Sequence, residues 1–145
     1  PIFVILWFTG ARIGEVAGLD LENIVTETEI PYFKFINQEN RTIKNEPSKR
    51  KVPIHPACNR VLGSFRPSKA KRPGTSWSET FRKNMGLPKF SAAHTLRHSF
   101  HTRCRDAGIE EYMIDILTGH AKASTTAQYG KTRLHLLQSA IRKLR

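Results

Sequence analysis

The run Pro1-Ile2-Phe3-Val4-Ile5-Leu6-Trp7-Phe8 carries no charged or hydrogen-bonding aliphatic side chain and leads straight into Thr9-Gly10-Ala11-Arg12. A segment this apolar has to be buried. It is too short to cross a bilayer, which takes about 20 residues of helix. It also lacks the basic flank and small-residue cleavage site of an export signal. The run therefore predicts a turn and a half of buried helix with a core assembled around it. Gly10 and Gly14 weaken a helix, so a break is expected near Gly10. A new helix is expected from about Ala11, with Ile13, Val16 and Ala17 at helical spacing. Because the chain opens on Pro1 inside an apolar run, it reads as a piece of something longer.

Beyond Asp20 the pattern changes. Asn23–Thr26, the aromatic stretch Pro31–Ile36 and the short Val52-Pro53-Ile54 are β-prone, and they predict a small antiparallel sheet. A long polar turn, 37–51, separates the last two. From Pro56 the periodicity is helical. Pro56 marks one helix start, Trp77–Met85 forms a second helix, and His94–Ala107 a third, stopped by Gly108. Glu110–Thr118 is a fourth, stopped by Gly119. Between the first two, residues 66–74 (RPSKAKRPG) read as an exposed loop. Leu134, Leu137, Ile141 and Leu144 mark a last amphipathic helix, whose stripe packs either on its own chain or on a neighbour. The fold class is mainly α with a small three-stranded antiparallel β-sheet, a single domain over 1–145.

The 145 residues hold 24 Lys+Arg against 12 Asp+Glu, a net charge of +12. The excess is local. Residues 1–40 are net negative, and 13 of the basic side chains fall between Arg41 and Lys89. Such a block points to a polyanion, nucleic acid before a membrane surface. Two cysteines with no CxxC spacing, Cys58 and Cys104, fit a reducing compartment, and the cytoplasm is the expected location.

The chemistry concentrates on few residues. His94, Arg97, His98, His101 and Arg105 recur at three- and four-residue steps, predicting one polar helix face opposite Leu96, Phe100, Cys104 and Ala107. His94 and Arg97 fall near the helix N-terminus, where backbone N–H groups favour an anion. Arg12 has Glu15 three residues on, a carboxylate able to orient a guanidinium. His120 follows Gly119, and Tyr129 follows nine residues later. The spacing of His94, His98 and His101 also suits zinc. However, Arg97 would stand inside that cluster with no acidic ligand near in sequence, so no metal or other cofactor is expected.

Together, TGARIGEV, HTLRH, LTGH and TTAQYG resemble, in order and spacing, the tyrosine recombinases, the phage-integrase family of site-specific DNA strand-exchange enzymes. The resemblance runs from about Thr9 to about Lys131, and VPIHP is similar to the family's β-hairpin exit. It implies a catalytic set of Arg12, Lys44, His94, Arg97, His120 and the nucleophile Tyr129, supported by Glu15 and His98. Lys49 and Lys51 lie in the same turn as Lys44, and each is an alternative for the catalytic lysine. Arg41, Lys49, Arg50, Lys51, Lys69, Lys71 and Arg72 are the expected contacts to DNA backbone phosphates.

The resemblance further implies a C-terminal catalytic domain that lacks its N-terminal DNA-binding domain. Its partners would be double-stranded DNA, a homo-tetramer on that DNA in the full-length protein, and accessory DNA-bending proteins. A non-catalytic basic DNA-binding module is the alternative, and only a covalent protein–DNA adduct separates the two.

Overall fold

The computed structural model describes residues 1–36, 49–68, 73–86, 92–120 and 134–145. Seven α-helices lie among them: α1 (Ile2–Thr9), α2 (Ile13–Ala17), α3 (Pro56–Leu62), α4 (Pro73–Met85), α5 (Ala92–Asp106), α6 (Glu111–Thr118) and α7 (Leu134–Ile141). Three strands, β1 (Ile24–Val25), β2 (Tyr32–Phe35) and β3 (Arg50–Pro53), form an antiparallel sheet in that order. The mainly helical class with a small three-stranded sheet is therefore present. No described helix is long and apolar enough to cross a membrane.

The opening apolar run is the buried helix α1, with Ile2, Ile5, Leu6 and Phe8 in the core. It packs against α2, α3 and α5. Gly10 ends it at φ 59, with its N–H on the Leu6 carbonyl at 3.0 Å. A side chain is excluded there on two grounds. L-residues rarely take that φ, and a Cβ would stand 2.3 Å from the Phe100 ring of α5. The α1–α2 corner thus rests directly on α5.

In the sheet, Phe33 pairs with Val52 and Phe35 with Arg50. Side chains alternate along a strand, so Phe33, Phe35, Val52 and Arg50 share the inner face, and all four are buried. Lys51 points out and lies over the Tyr32 ring at 4.6 Å. β3 begins two residues earlier than the apolar pattern suggested. Helix α4 also begins earlier, at Pro73, inside the segment expected to be a loop. Proline is preorganised for a first helical position, where its missing N–H costs nothing.

Helix α7 packs on β3 and α6 of its own chain, burying Leu137, Ala140, Ile141 and Leu144. His55 ties this terminus down. Its Nδ1 accepts from the Ala57 N–H at 3.1 Å, capping α3, and its Nε2 lies 3.1 Å from the Leu144 carbonyl. An accepting Nδ1 puts the proton on Nε2, so the ring is neutral and donates to Leu144. The ring also stacks on Phe8 at 3.9 Å. Arg103 of α5 lies over Trp7 at 4.1 Å and donates to the Trp7 and Arg145 carbonyls.

Candidate active site

Arg12 is the N-cap residue of α2. Glu15, at the third helical position, reaches back and accepts from the Arg12 backbone N–H at 2.8 Å and from its Nη1 at 3.2 Å. The first of these bonds satisfies an N-terminal donor, as the acidic member of a capping box does. The Glu15 side chain is 7% exposed, whereas that of Arg12 is 34% exposed. The carboxylate is therefore a buried anchor, and the guanidinium leans outward from it.

A second arginine completes the anchor. Arg50 donates from Nη1 to Glu15 Oε1 at 3.1 Å and from Nη2 to Glu15 Oε2 at 3.0 Å. Its Nε donates to the Leu117 carbonyl of α6 at 2.7 Å. Burial alone would raise the Glu15 carboxyl. The charge and hydrogen bonds of Arg50, with help from Arg12, outweigh that and hold it below the usual carboxylate value. Arg50 was expected at DNA backbone phosphates. With its side chain 4% exposed and its guanidinium turned inward, it belongs to the scaffold of the site instead. The missed signal was the alternation of Arg50 and Val52, which share a strand face.

Arg97 differs from expectation too. It does not stand on a polar face of α5 but shares the buried stripe of Phe100 and Cys104, at 4% exposure. From there its Nη1 donates to the Gly10 carbonyl at 2.6 Å, and its Nη2 to the Thr118 carbonyl at 2.6 Å. Nη2 also lies 3.0 Å from His120 Nε2. Burial, and then repulsion from Arg12 and Arg50, bring the Arg97 pKa down to about 10, so it stays charged at neutral pH. Its backbone partners are the corner after α1 and the last turn of α6, whose carbonyls lack helical partners and favour a cation.

Gly119, at φ 72, turns the chain out of α6 and delivers His120 to the site. A guanidinium can only donate, so His120 Nε2 accepts, and the ring proton is on Nδ1. Partial burial, then the charges of Arg97, His101, Arg12 and Arg50, push the ring pKa down to about 4. The His101 ring lies 5.6 Å from that of His120. Burial and the charges of Arg97 and Arg105 lower His101 as well, against the opposing pull of Glu111 and Asp115.

Arg12, Glu15, Arg97 and His120 thus come together from three separate segments. His94 is exposed at the start of α5 and meets the exposed His98 edge to face, ring centroids 5.2 Å apart. Lys49 and Lys51 are exposed at the mouth of β3. Arg41, Lys44, Lys69, Lys71, Arg72 and Tyr129 lie outside the described residues. What is described is a cluster of three guanidiniums against one carboxylate, with Arg12 its most exposed cation, an excess of positive charge suited to an oxyanion such as a phosphodiester.

No protein-family model and no solved structure matches the chain. Curated relatives do. The chain is 29% identical to tyrosine recombinase XerD of Lacticaseibacillus casei over 88% of its own length and 48% of that protein. It is 28% identical to tyrosine recombinase XerD of Mycobacterium tuberculosis, over 94% of its length and 49% of that protein. It is 31% identical to the integrase of Escherichia phage P2, over 97% of its length and 40% of that protein. The chain spans about half the length of these relatives, or less. Relatives that share these names and cover most of the chain, together with the four motifs in order, make it a member of the tyrosine recombinase family.

Proposed function

We propose that the chain is the catalytic portion of a site-specific DNA recombinase or integrase, cutting and rejoining DNA by transesterification. The observation that carries this reading is the meeting of Arg12, Arg97 and His120, drawn from the start of α2, from α5 and from the end of α6, in one charged cluster. The relatives' names, recombinase and integrase, point the same way.

In this reading the Tyr129 oxygen attacks phosphorus, and the bond to the 5′ oxygen breaks. The products are a 3′-phosphotyrosyl link and a 5′-hydroxyl. Phosphotyrosine keeps the ester energy, so resealing needs no nucleotide and no metal. A free tyrosine titrates near about 10, so His94 takes its proton. Lys44 protonates the leaving oxygen, with Lys49 and Lys51 the alternatives for that role. Charge grows on the non-bridging oxygens in the transition state. Arg12 and Arg97 meet it with fixed, already charged donors, and neutral His120 adds the N–H of Nδ1. Lys49 and Lys51, with Arg41, Lys69, Lys71 and Arg72, hold the flanking phosphates. Residues 1–145 act as one catalytic domain. The rest of the enzyme would clamp the duplex and assemble a tetramer, with DNA-bending proteins where the site requires them.

A nicked suicide duplex carrying the element's own junction tests the reading on a denaturing gel. A shifted protein–DNA adduct that survives EDTA and disappears in Tyr129→Phe is expected. Salt-sensitive binding with no adduct would mean a non-catalytic DNA-binding module.

A further inference from the structure

We propose that Arg50 is a positioning residue of this site, one that sets Arg12 and His120 relative to each other by gripping the Glu15 carboxylate and the Leu117 carbonyl together. The proposal rests on the recombinase reading. Each Glu15 oxygen takes one bond from each arginine: Oε1 from Arg50 Nη1 at 3.1 Å and Arg12 Nη1 at 3.2 Å, Oε2 from Arg50 Nη2 at 3.0 Å and the Arg12 backbone N–H at 2.8 Å. The carboxylate cannot turn for one arginine without leaving the other. On its far edge, Arg50 Nε holds Leu117 O at 2.7 Å, and Arg97 holds the next carbonyl, that of Thr118, at 2.6 Å. Two guanidiniums therefore grip consecutive carbonyls where α6 ends, three and two residues before His120.

Arg50 is able to do this because of the pleat. It faces inward beside Val52 and lies over the Phe35 ring at 4.6 Å, so its stem is packed and its planar fork is held in one orientation. Lysine would keep the charge but not the fork, since an ammonium has no fixed two-pronged geometry and no second edge for Leu117. Strand β3 directly follows Lys49, so Arg50 also ties the start of that strand to Glu15 and the end of α6.

Two measurements test this. The first needs no DNA: hydrogen exchange at the Arg12 amide. Arg50→Met is expected to speed it at least about tenfold while the amides of α5 keep their protection, because only the local carboxylate bond is lost. The second is the initial rate of adduct formation on the suicide duplex, with the full-length recombinase that the reading implies. Arg50→Met is expected to slow it on the order of 10²-fold, the scale of a misplacement of about 1 Å, and Arg50→Lys about tenfold. Arg50→Lys carries the test if Arg50→Met does not fold.

The double variant Arg12→Ala, Arg50→Met should lose clearly less than the product of the two single losses, since Arg50 acts partly through Arg12, and what remains of its effect is exerted through the end of α6 at His120. Fully multiplicative losses, or an unchanged Arg12 amide, overturn the proposal. Wild-type adduct with an unimpaired Arg50→Met overturns it while leaving the recombinase reading intact. Absence of adduct from wild type removes that reading, and the proposal with it.

Discussion

Arg97 Nη2 donates to His120 Nε2 across 3.0 Å, so the two residues meet as donor and acceptor rather than as two donors. This settles the ring's tautomer. It also places a permanent charge beside an imidazole whose pKa is pushed down to about 4 by partial burial and by that charge among others.

His120 should therefore stay neutral through the working pH range. Its ring resonances are expected to show no titration between about pH 5.5 and 8, in contrast to an ordinary histidine near about 6.5. In Arg97→Met a large repulsive charge is gone, and the His120 inflection should move up toward the usual value. NMR titration of both proteins decides it, and an inflection near 6.5 in wild type would contradict the geometry.

Removing either arginine proposed to meet the phosphate should affect chemistry and folding unequally. Arg12→Ala is expected to lose about 3 kcal/mol of transition-state stabilisation, roughly 10²-fold in rate, with little loss of stability, since its side chain is one-third exposed. Arg97→Ala should lose as much rate. It should also cost about 2–4 kcal/mol of folding stability, because the buried Gly10 and Thr118 carbonyls lose their donors. Adduct kinetics and urea unfolding on the two variants separate these effects.

Acid should destabilise the fold in two windows. His55, His101 and His120 all have folded pKa values below 6.5, so the unfolded chain binds protons first. Their contribution is complete above pH 6.5 and falls away as the pH drops from there through the folded values. Glu15 is also lowered, from 4.5, so its contribution is complete above 4.5 and is lost as the pH falls through its folded value. Glu15→Gln should remove the second window and cost about 3–5 kcal/mol at neutral pH, because Arg50 is left buried without its counter-charge. Denaturation midpoints against pH, for both proteins, measure this.

Gly10→Ala should destabilise by several kcal/mol, on the order of 2–4, combining a disfavoured φ with overpacking against Phe100. Gly10→Ala with Phe100→Leu should recover less than half, since the backbone strain at φ 59 remains. Thermal melts of the single and double variants give the partition.

Ending the chain after Arg133 should abolish cooperative folding. Leu137, Ala140, Ile141 and Leu144 are core residues here, and the Leu144 carbonyl holds His55. A truncated chain that melts cooperatively but no longer assembles on DNA would show that α7 serves a neighbouring protomer instead.

Much of this was legible because it depends on local periodicity. The apolar run of α1, the break at Gly10, the order of the helices after Pro56 and the stripe of α7 are short-range patterns, and burial follows from them. The motifs were legible for a similar reason. Arg12 with Glu15, and His94 with Arg97, are three residues apart in sequence, so the residue types of each motif could be read directly, and the Arg12–Glu15 pairing with them.

What the chain order could not decide is which charged side chain faces inward when both faces of an element carry charge. Arg97 reads as polar-face by spacing, yet it lies in the core stripe of α5, because the Gly10 and Thr118 carbonyls arrive there from distant segments. Arg50 reads as one more cation in a basic block. Pairing with Phe35 turns it inward onto Glu15, 35 residues earlier, and Leu117, 67 residues later. A buried charge is tolerated only where its partners converge, and that convergence is a property of the tertiary structure. The sequence alone determined the order of the elements and the family resemblance, because both rest on short-range patterns and motifs. The packing of α5, β3 and the end of α6 decided that one of the arginines expected at DNA is instead buried against Glu15 and the Leu117 carbonyl.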